Sequence, residues 1–397
     1  MPLLDGRRIW FVGIGGAGLS SYAVLSAAWG AEVGGWDRIE TPYLAYVRAA
    51  GIPVTIAPDP PEPPTDAEVV VSTAFAGRVE GKSRAEFLAE LVSLRDAIVV
   101  AGAHGKTTTA AMIAFCLDRL GLDPAFLIGG EVPQLGGNAR AGEGWLVVEG
   151  DESDRTVAAL RPRVGVLTNV DLDHHTTFAS PAEVEELFER WLEEVPHVVR
   201  GEELEPADVP LAVPGEHNRR NAACALAALE LVGVARADAA PVLGEFRGVR
   251  RRLELRGELD GARVYDDYSH HPTEIGAALA ALREAAAGGR LLVLFQPHLF
   301  SRTRHVGREL ADALAAADAV CVTDVYPARE QPLEGVSGKL VVDALAELRP
   351  GMPIGWAPTV EDGLQFVATR ARAGDTVLTM GAGDVDRAAT LLVGPEP

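Results

Sequence analysis

A chain of 397 residues with a formal charge of −21 is long enough for about two to three domains, each with its own core. That charge, with no basic stripe, argues against a nucleic-acid partner, although backbone dipoles and a few arginines can still hold a small anion. Cys116, Cys224 and Cys321 have no metal or redox spacing, no apolar run approaches membrane-spanning length, and the first strand starts without a leader, so a soluble, cytoplasmic protein with no membrane span is expected.

In chain order, a first region suggests a strand over 8–12, a helix over 17–29, a strand over 31–35 and a later strand over 68–72. Pro58-Asp59-Pro60-Pro61-Glu62-Pro63-Pro64 reads as an extended surface connection. A second region begins with the apolar strand 97–101. It continues through strands at 145–149 and 164–169 and helices over 181–194 and 219–232. A third region follows Gly248-Val249-Arg250-Arg251-Arg252, with strands at 262–266, 290–295, 319–323 and 375–380 between helical patterns. This alternation predicts an α/β fold of parallel sheets covered on both faces. Candidate domains are 1–94, 95–246 and 247–397.

The most informative segment is Ala101-Gly102-Ala103-His104-Gly105-Lys106-Thr107-Thr108-Thr109, between the strand and Ala110–Phe115, which reads as a helix start. A glycine-rich turn there lets backbone N–H groups and the positive helix end face one anion. Val100 stands where the full phosphate-loop pattern has its first glycine; Gly102 opens a shortened form, G-x-x-G-K-[ST]. Lys106 then reaches the outer phosphates of ATP or GTP, and Thr107 faces a Mg²⁺. Lysine occurs only at 82, 106 and 339, the other 33 basic residues being arginine, so this position keeps a compact ammonium where a phosphate suits it.

Gly13-Ile14-Gly15-Gly16-Ala17-Gly18 follows the first strand, with Asp37 after the second. The pattern specifies a diphosphate at a helix N-terminus, and NAD or a UDP-sugar satisfies it equally. Acids gather at the strand ends of the second region: Glu149 begins Glu149-Gly150-Asp151-Glu152-Ser153-Asp154, and Asp171, Asp173, His174 and His175 follow the next strand. In open α/β sheets such ends line the ligand crevice, so these groups are expected near Lys106 and Thr107 as candidate Mg²⁺ ligands. Seven of nine histidines (104, 174, 175, 217, 270, 271, 298) lie in these polar segments or in Gly215–Asn218, Tyr265–Pro272 and Phe295–Thr303; His197 and His305 do not.

Together these segments resemble the Mur ligase family of peptidoglycan synthesis. The matching pieces include GIGGAGLS (13–20), AGAHGKTTT (101–109), EGDESD (149–154), TNVDLDHH (168–175) and GEHNRRNAACA (215–225). They continue with GVRRRLEL (248–255), YDDYSHHPTEI (265–275), FQPHLFSRT (295–303), VYPARE (325–330) and GAGDV (381–385). The resemblance implies three domains: a Rossmann-like UDP-sugar-binding domain, a phosphate-loop ATPase-like central domain with a mostly parallel sheet, and a Rossmann-like C-terminal domain. It resolves the first loop in favour of a UDP-sugar and implies an ATP- and Mg²⁺-dependent amide ligase. Such an enzyme joins L-alanine to the carboxylate of UDP-N-acetylmuramate through an acyl phosphate. A ligase adding a tripeptide to the same UDP-sugar, or a non-catalytic binder of it, is the rival reading.

Carried over residue by residue, the resemblance implies that Gly102, Ala103, His104, Gly105, Lys106, Thr107 and Thr108 hold the ATP phosphates. Thr107, Glu149 and His174 would hold Mg²⁺. His217 and Asn221 would contact adenine, and Arg251 or Arg252 with Asp267 the γ-phosphate and ribose. Gly15, Gly16, Ala17, Gly18 and Ser20, with Asp37, Ser72, Thr73, Glu152 and Ser153, would hold the sugar substrate. Tyr268, His270 and Arg302 would position the amino acid, with Lys106, His174, Arg252 and His270 nearest the chemistry. Because ATP contacts would come from two regions, domain closure is expected to complete the site.

The chain departs from the family in three places. Only 36 residues separate Phe178 from Gly215, which predicts a trimmed central segment of one helix, an acidic turn and a short strand. Leu253 and Leu299 stand where relatives carry an aromatic residue and, in some, an arginine. With no lysine between Lys106 and Lys339, a carbamylated lysine cannot hold a second metal there.

Overall fold

A computed structural model describes residues 3–173, 177–286, 288–328 and 330–394. They form two compact units, one of residues 1–210 with 220–246, the other of 211–219 with 247–397.

The first unit contains two sheets. β1 (Arg8–Val12), β2 (Glu32–Asp37), β3 (Val54–Ile56), β4 (Glu68–Val71) and β5 (Lys82–Ser83) run in the order β3-β2-β1-β4-β5, all pairs parallel. Helix α1 (Ala17–Ala28) follows β1 directly, α2 is Leu44–Ala49, and α3 (Arg84–Ser93) follows β5. The order reverses at β1, so the glycine loop after β1 opens at the switch point where an α/β sheet takes a ligand.

The second sheet holds β6 (Ala97–Ala101), β7 (Ala125–Val132), β8 (Gly137–Arg140), β9 (Leu146–Glu149), β10 (Val164–Leu167) and β11 (His197–Arg200), in the order β11-β10-β6-β9-β7-β8. Every residue of β6 is buried, as befits a parallel strand covered on both faces. Helix α4 (Lys106–Arg119) starts four residues earlier than the apolar run Ala110–Phe115 suggests, because Lys106–Thr109 make its first turn. Phe11, Phe87 and Leu91 of the first sheet's layer share one core with Val99, Val148, Val157 and Trp191. Between Phe178 and Gly215 lie α5 (Pro181–Glu193), β11 and a 3-10 turn at Gly201–Glu203, the expected trimmed segment.

α6 (Glu216–Leu231) and α7 (Arg236–Leu243) lead to the third sheet. Its strands are β12 (Glu254–Leu259), β13 (Ala262–Asp267), β14 (Leu291–Phe295), β15 (Ala319–Thr323), β16 (Ile354–Ala357) and β17 (Thr376–Met380), in the order β12-β13-β17-β14-β15-β16. Helix α8 (Pro272–Ala285) follows β13, and α9 (Phe300–Leu314) follows β14.

Two corrections apply to the expected parallel sheets. β7 pairs with β8, and β12 with β13, antiparallel. β13 also runs one residue past the expected 262–266, through Asp267; the Asp266 and Asp267 carboxylates are both buried and hydrogen-bonded there.

Candidate active site

The turn between β6 and α4 needs its glycines. Gly102 has φ +128° and Gly105 φ +81°, a region that side chains rarely adopt. A Cβ on Gly102 would stand 2.2 Å from Thr168 Oγ1, and one on Gly105 2.3 Å from Asn221 Oδ1. The next strand end braces the loop. Asn169 accepts from His104 N at 2.9 Å and donates to His104 O at 2.9 Å, while Thr168 Oγ1 donates to the same carbonyl at 2.7 Å. The braced loop ends on the first turn of α4, where the backbone N–H groups of Lys106, Thr107 and Thr108 precede the first helical bond, from Thr109 N to Gly105 O at 2.9 Å, and attract an anion.

Lys106 and Thr107 each meet a carboxylate. Lys106 Nζ lies 3.0 Å from Glu152 Oε2 and donates to the loop carbonyls Gly102 O at 2.6 Å and Ala103 O at 3.1 Å. Burial pushes the ammonium pKa down, but Glu152 and then Glu149 outweigh it, and the net direction is up. Thr107 Oγ1 lies 2.9 Å and 3.0 Å from the Glu149 oxygens, and Gly129 N donates to Glu149 Oε2 at 2.8 Å. A hydroxyl and a carboxylate side by side at the mouth of a phosphate loop are hard oxygen donors, and they fit Mg²⁺.

At the first sheet, Gly13 has φ +85° and a Cβ there would stand 2.4 Å from Ser72 Oγ. Asp37 Oδ2 accepts from Gly15 N at 2.8 Å and Oδ1 from Arg38 N at 2.7 Å. Thr41 Oγ1 donates to Gly15 O at 2.8 Å. Asp37 therefore shapes the loop itself. Gly16 caps α1, Ala17 and Gly18 open it, and buried Ser20 donates back to Ala17 O at 3.2 Å. Thr73 begins a 3-10 turn beside Ser72 at the end of β4.

The second unit gathers the remaining candidates. Arg251, at φ +58°, donates from Nε to the buried Asp266 at 3.0 Å and from Nη2 to Gly381 O at 2.7 Å. Arg252 lies 3.6 Å from Glu274, and both guanidiniums lie over the Tyr268 ring. Asp267 accepts from Leu253 N at 2.7 Å and Ser269 N at 2.8 Å. His270 Nδ1 sits 3.0 Å from Tyr268 O; a carbonyl only accepts, so Nδ1 carries the proton and Nε2 is the basic nitrogen. Buried Arg302 reaches His298 Nδ1 at 3.2 Å, and the His298 ring stacks on Tyr326. His217 is held below its ordinary pKa by burial, with Asp267 pulling up and Arg252 down.

The acidic strand ends do meet the phosphate loop, with a different division of labour from the one expected. Glu152 takes Lys106, Glu149 takes Thr107, and Asp171 lies 3.1 Å from His104 Nε2. Ser153 donates its backbone N–H to Asp151 Oδ1 at 2.9 Å, and its carbonyl accepts from Thr177 at 2.7 Å. His174 and its neighbour His175 lie outside the described residues. Sequence reasoning missed Thr168, Asn169 and Thr41 as loop braces. Thr168 and Asn169 sit inside a segment already singled out, whereas nothing in the pattern points to Thr41.

A strand–loop–helix phosphate cradle with acidic strand ends, following a separate sheet with its own glycine loop, defines a nucleotide-binding α/β protein. The Mur ligase family catalytic domain matches residues 8–95, the Mur ligase middle domain 100–199, and the Mur ligase glutamate ligase domain 251–383. The chain belongs to the Mur ligase family. It is 40% identical to UDP-N-acetylmuramate–L-alanine ligase of Streptomyces coelicolor, with 95% of each chain covered, and 39% identical to that of Rubrobacter xylanophilus, with 96% and 98% covered. The solved UDP-N-acetylmuramate–alanine ligase of Thermotoga maritima matches with a TM-score of 0.81 at 27% identity, over 97% of this chain and 98% of that one. The Streptomyces alignment spans 445 positions, more than the 397 residues here, so that relative carries residues this chain lacks.

Proposed function

We propose that the chain is an ATP-dependent ligase that joins L-alanine to the carboxylate of UDP-N-acetylmuramate in peptidoglycan precursor synthesis. One observation carries this reading: near-full-length similarity to enzymes of that name, on a chain that keeps Lys106, Thr107 and Glu149 together at the phosphate loop.

In this scheme a muramate carboxylate oxygen attacks the γ-phosphorus of ATP, and the bond to the β,γ-bridging oxygen breaks to release ADP. The amine of L-alanine then attacks the acyl-phosphate carbonyl, the tetrahedral intermediate expels phosphate, and an amide remains. No protein nucleophile is needed; the protein aligns the reactants and neutralises charge. Residues 102–108 cradle the triphosphate, with Lys106 moving from Glu152 to the outer oxygens. Thr107 and Glu149 would hold Mg²⁺, which when bound neutralises phosphate charge.

We assign the UDP-sugar to residues 1–94 and its loop at 15–20, ATP to 95–246, and the amino acid to 247–397. His217, Asn221 and Asp267 serve the nucleoside, and Arg252 the transferring phosphoryl group. The basic Nε2 of His270 takes the amine proton, and Tyr268 and Arg302 orient the amino acid. A cytoplasmic location follows from the need for ATP. Phosphate release tested with UDP-N-acetylmuramate, ATP and Mg²⁺ across single amino acids and a tripeptide checks the reading. L-Alanine should support release and the tripeptide should not; release with the tripeptide alone would mark a recycling ligase.

A further inference from the structure

The reaction scheme leaves unused an ion-pair cluster that joins the two glycine loops of the first unit. Arg84 is the first residue of α3, whose start is fixed by a capping box between Ser83 and Glu86. Its Nη2 donates to Asp151 Oδ2 and to Asp154 Oδ2, both at 2.9 Å. Its Nη1 faces Gly18, where a Cβ would stand 3.0 Å away. The last glycine of the G-x-G-x-x-G pattern therefore makes room for a guanidinium.

Both acids are also held on their other oxygen. Asp151 Oδ1 accepts from Ser153 N at 2.9 Å, and Asp154 Oδ1 from Thr156 N at 3.1 Å and Thr156 Oγ1 at 2.5 Å. Glu152 stands between them, 3% exposed and turned to Lys106. Tyr22, one turn along α1 from Gly18, is buried beside this cluster, and burial pushes its hydroxyl pKa up to about 12. One cation thus touches the start of the sugar-loop helix and pins the turn that aims Glu152 at the phosphate-loop lysine.

We propose that Arg84 is a positioning residue that couples occupancy of the first glycine loop to the phosphate loop. An anion seated at residues 15–18 immobilises the guanidinium, and with it the turn carrying Glu152. The ordering is then not repeated when a triphosphate binds, so the second ligand binds more tightly. The proposal rests on the assignment of a UDP-sugar to the first loop.

The test measures the affinity of a non-hydrolysable ATP analogue with and without saturating UDP-N-acetylmuramate, in the full-length protein and in Arg84→Lys, which keeps the charge but loses the fork. The parent should bind the analogue at least about fivefold more tightly with the sugar present. Arg84→Lys should show less than about a twofold difference while its KM for L-alanine stays near the parent's. Asp154→Asn, which leaves the Asp151 contact in place, should lie between. Equal coupling in parent and Arg84→Lys, or none in the parent, overturns the proposal. So does a variant that loses only thermal stability. A parent that binds both ligands but forms no amide would instead sink the ligase reading and leave the coupling measurement intact.

Discussion

Lys106 Nζ and Glu152 Oε2 lie 3.0 Å apart in a pair whose side chains are 14% and 3% exposed. The ammonium also caps two carbonyls of its own loop, so it sits where an incoming phosphate would draw it away. Replacing it with alanine removes the one compact cation of the loop. Lys106→Ala should lower kcat by about a hundredfold or more, measured as phosphate release, with the fold intact by circular dichroism.

Glu152 is the first of the charges that hold the Lys106 pKa up against burial. Glu152→Gln keeps the shape and removes that support, so the ammonium loses its proton at lower pH. The alkaline limb of kcat/KM for ATP should therefore move to lower pH in the variant; an unmoved limb would show that Glu152 does not govern the lysine.

Asn169 grips both the N–H and the carbonyl of His104. Asn169→Ala leaves two loop groups without these bonds and should cost about 1–3 kcal/mol in urea unfolding. ATP-analogue affinity should fall with it, because the brace is lost where the phosphates sit.

His217 gives a pH dependence of defined sign. Its folded pKa is depressed below 6.5, mainly by burial, so below that value the unfolded chain binds a proton that the folded chain refuses. Its contribution is present above the ordinary value and lost as pH falls. Asp266, pushed up to about 6 by burial, contributes with the opposite sign. His217→Asn should therefore reduce the loss of urea midpoint between about pH 7.5 and about pH 5.5 relative to the parent. An equal loss would remove His217 as a source.

Much of this architecture is legible in the sequence because parallel strands buried on both faces read as continuous apolar runs. Ala97–Ala101 and Ala319–Thr323 are found at the bounds read from sequence, and α1 ends one residue short of them. Strands at or next to a sheet margin escape that signal. β7 carries Gly129-Gly130 within an apolar run, and β12 (Glu254–Leu259) is half polar and pairs antiparallel at the margin of its sheet. The phosphate loop is legible because a lysine and two glycines at fixed spacing have one physical use. Its braces are not, since a threonine or asparagine hydrogen-bonding a backbone carbonyl leaves no pattern. The guanidinium of Arg84, contacting acids 67 and 70 residues away, leaves none either.

The acyl phosphate is the centre of the account, and an isotope measurement reaches it most directly. UDP-N-acetylmuramate carrying heavy oxygen in its carboxylate should pass one labelled oxygen to the released inorganic phosphate for each amide formed with L-alanine. Phosphate free of label, with amide accumulating at the normal rate, would contradict carboxylate attack on ATP.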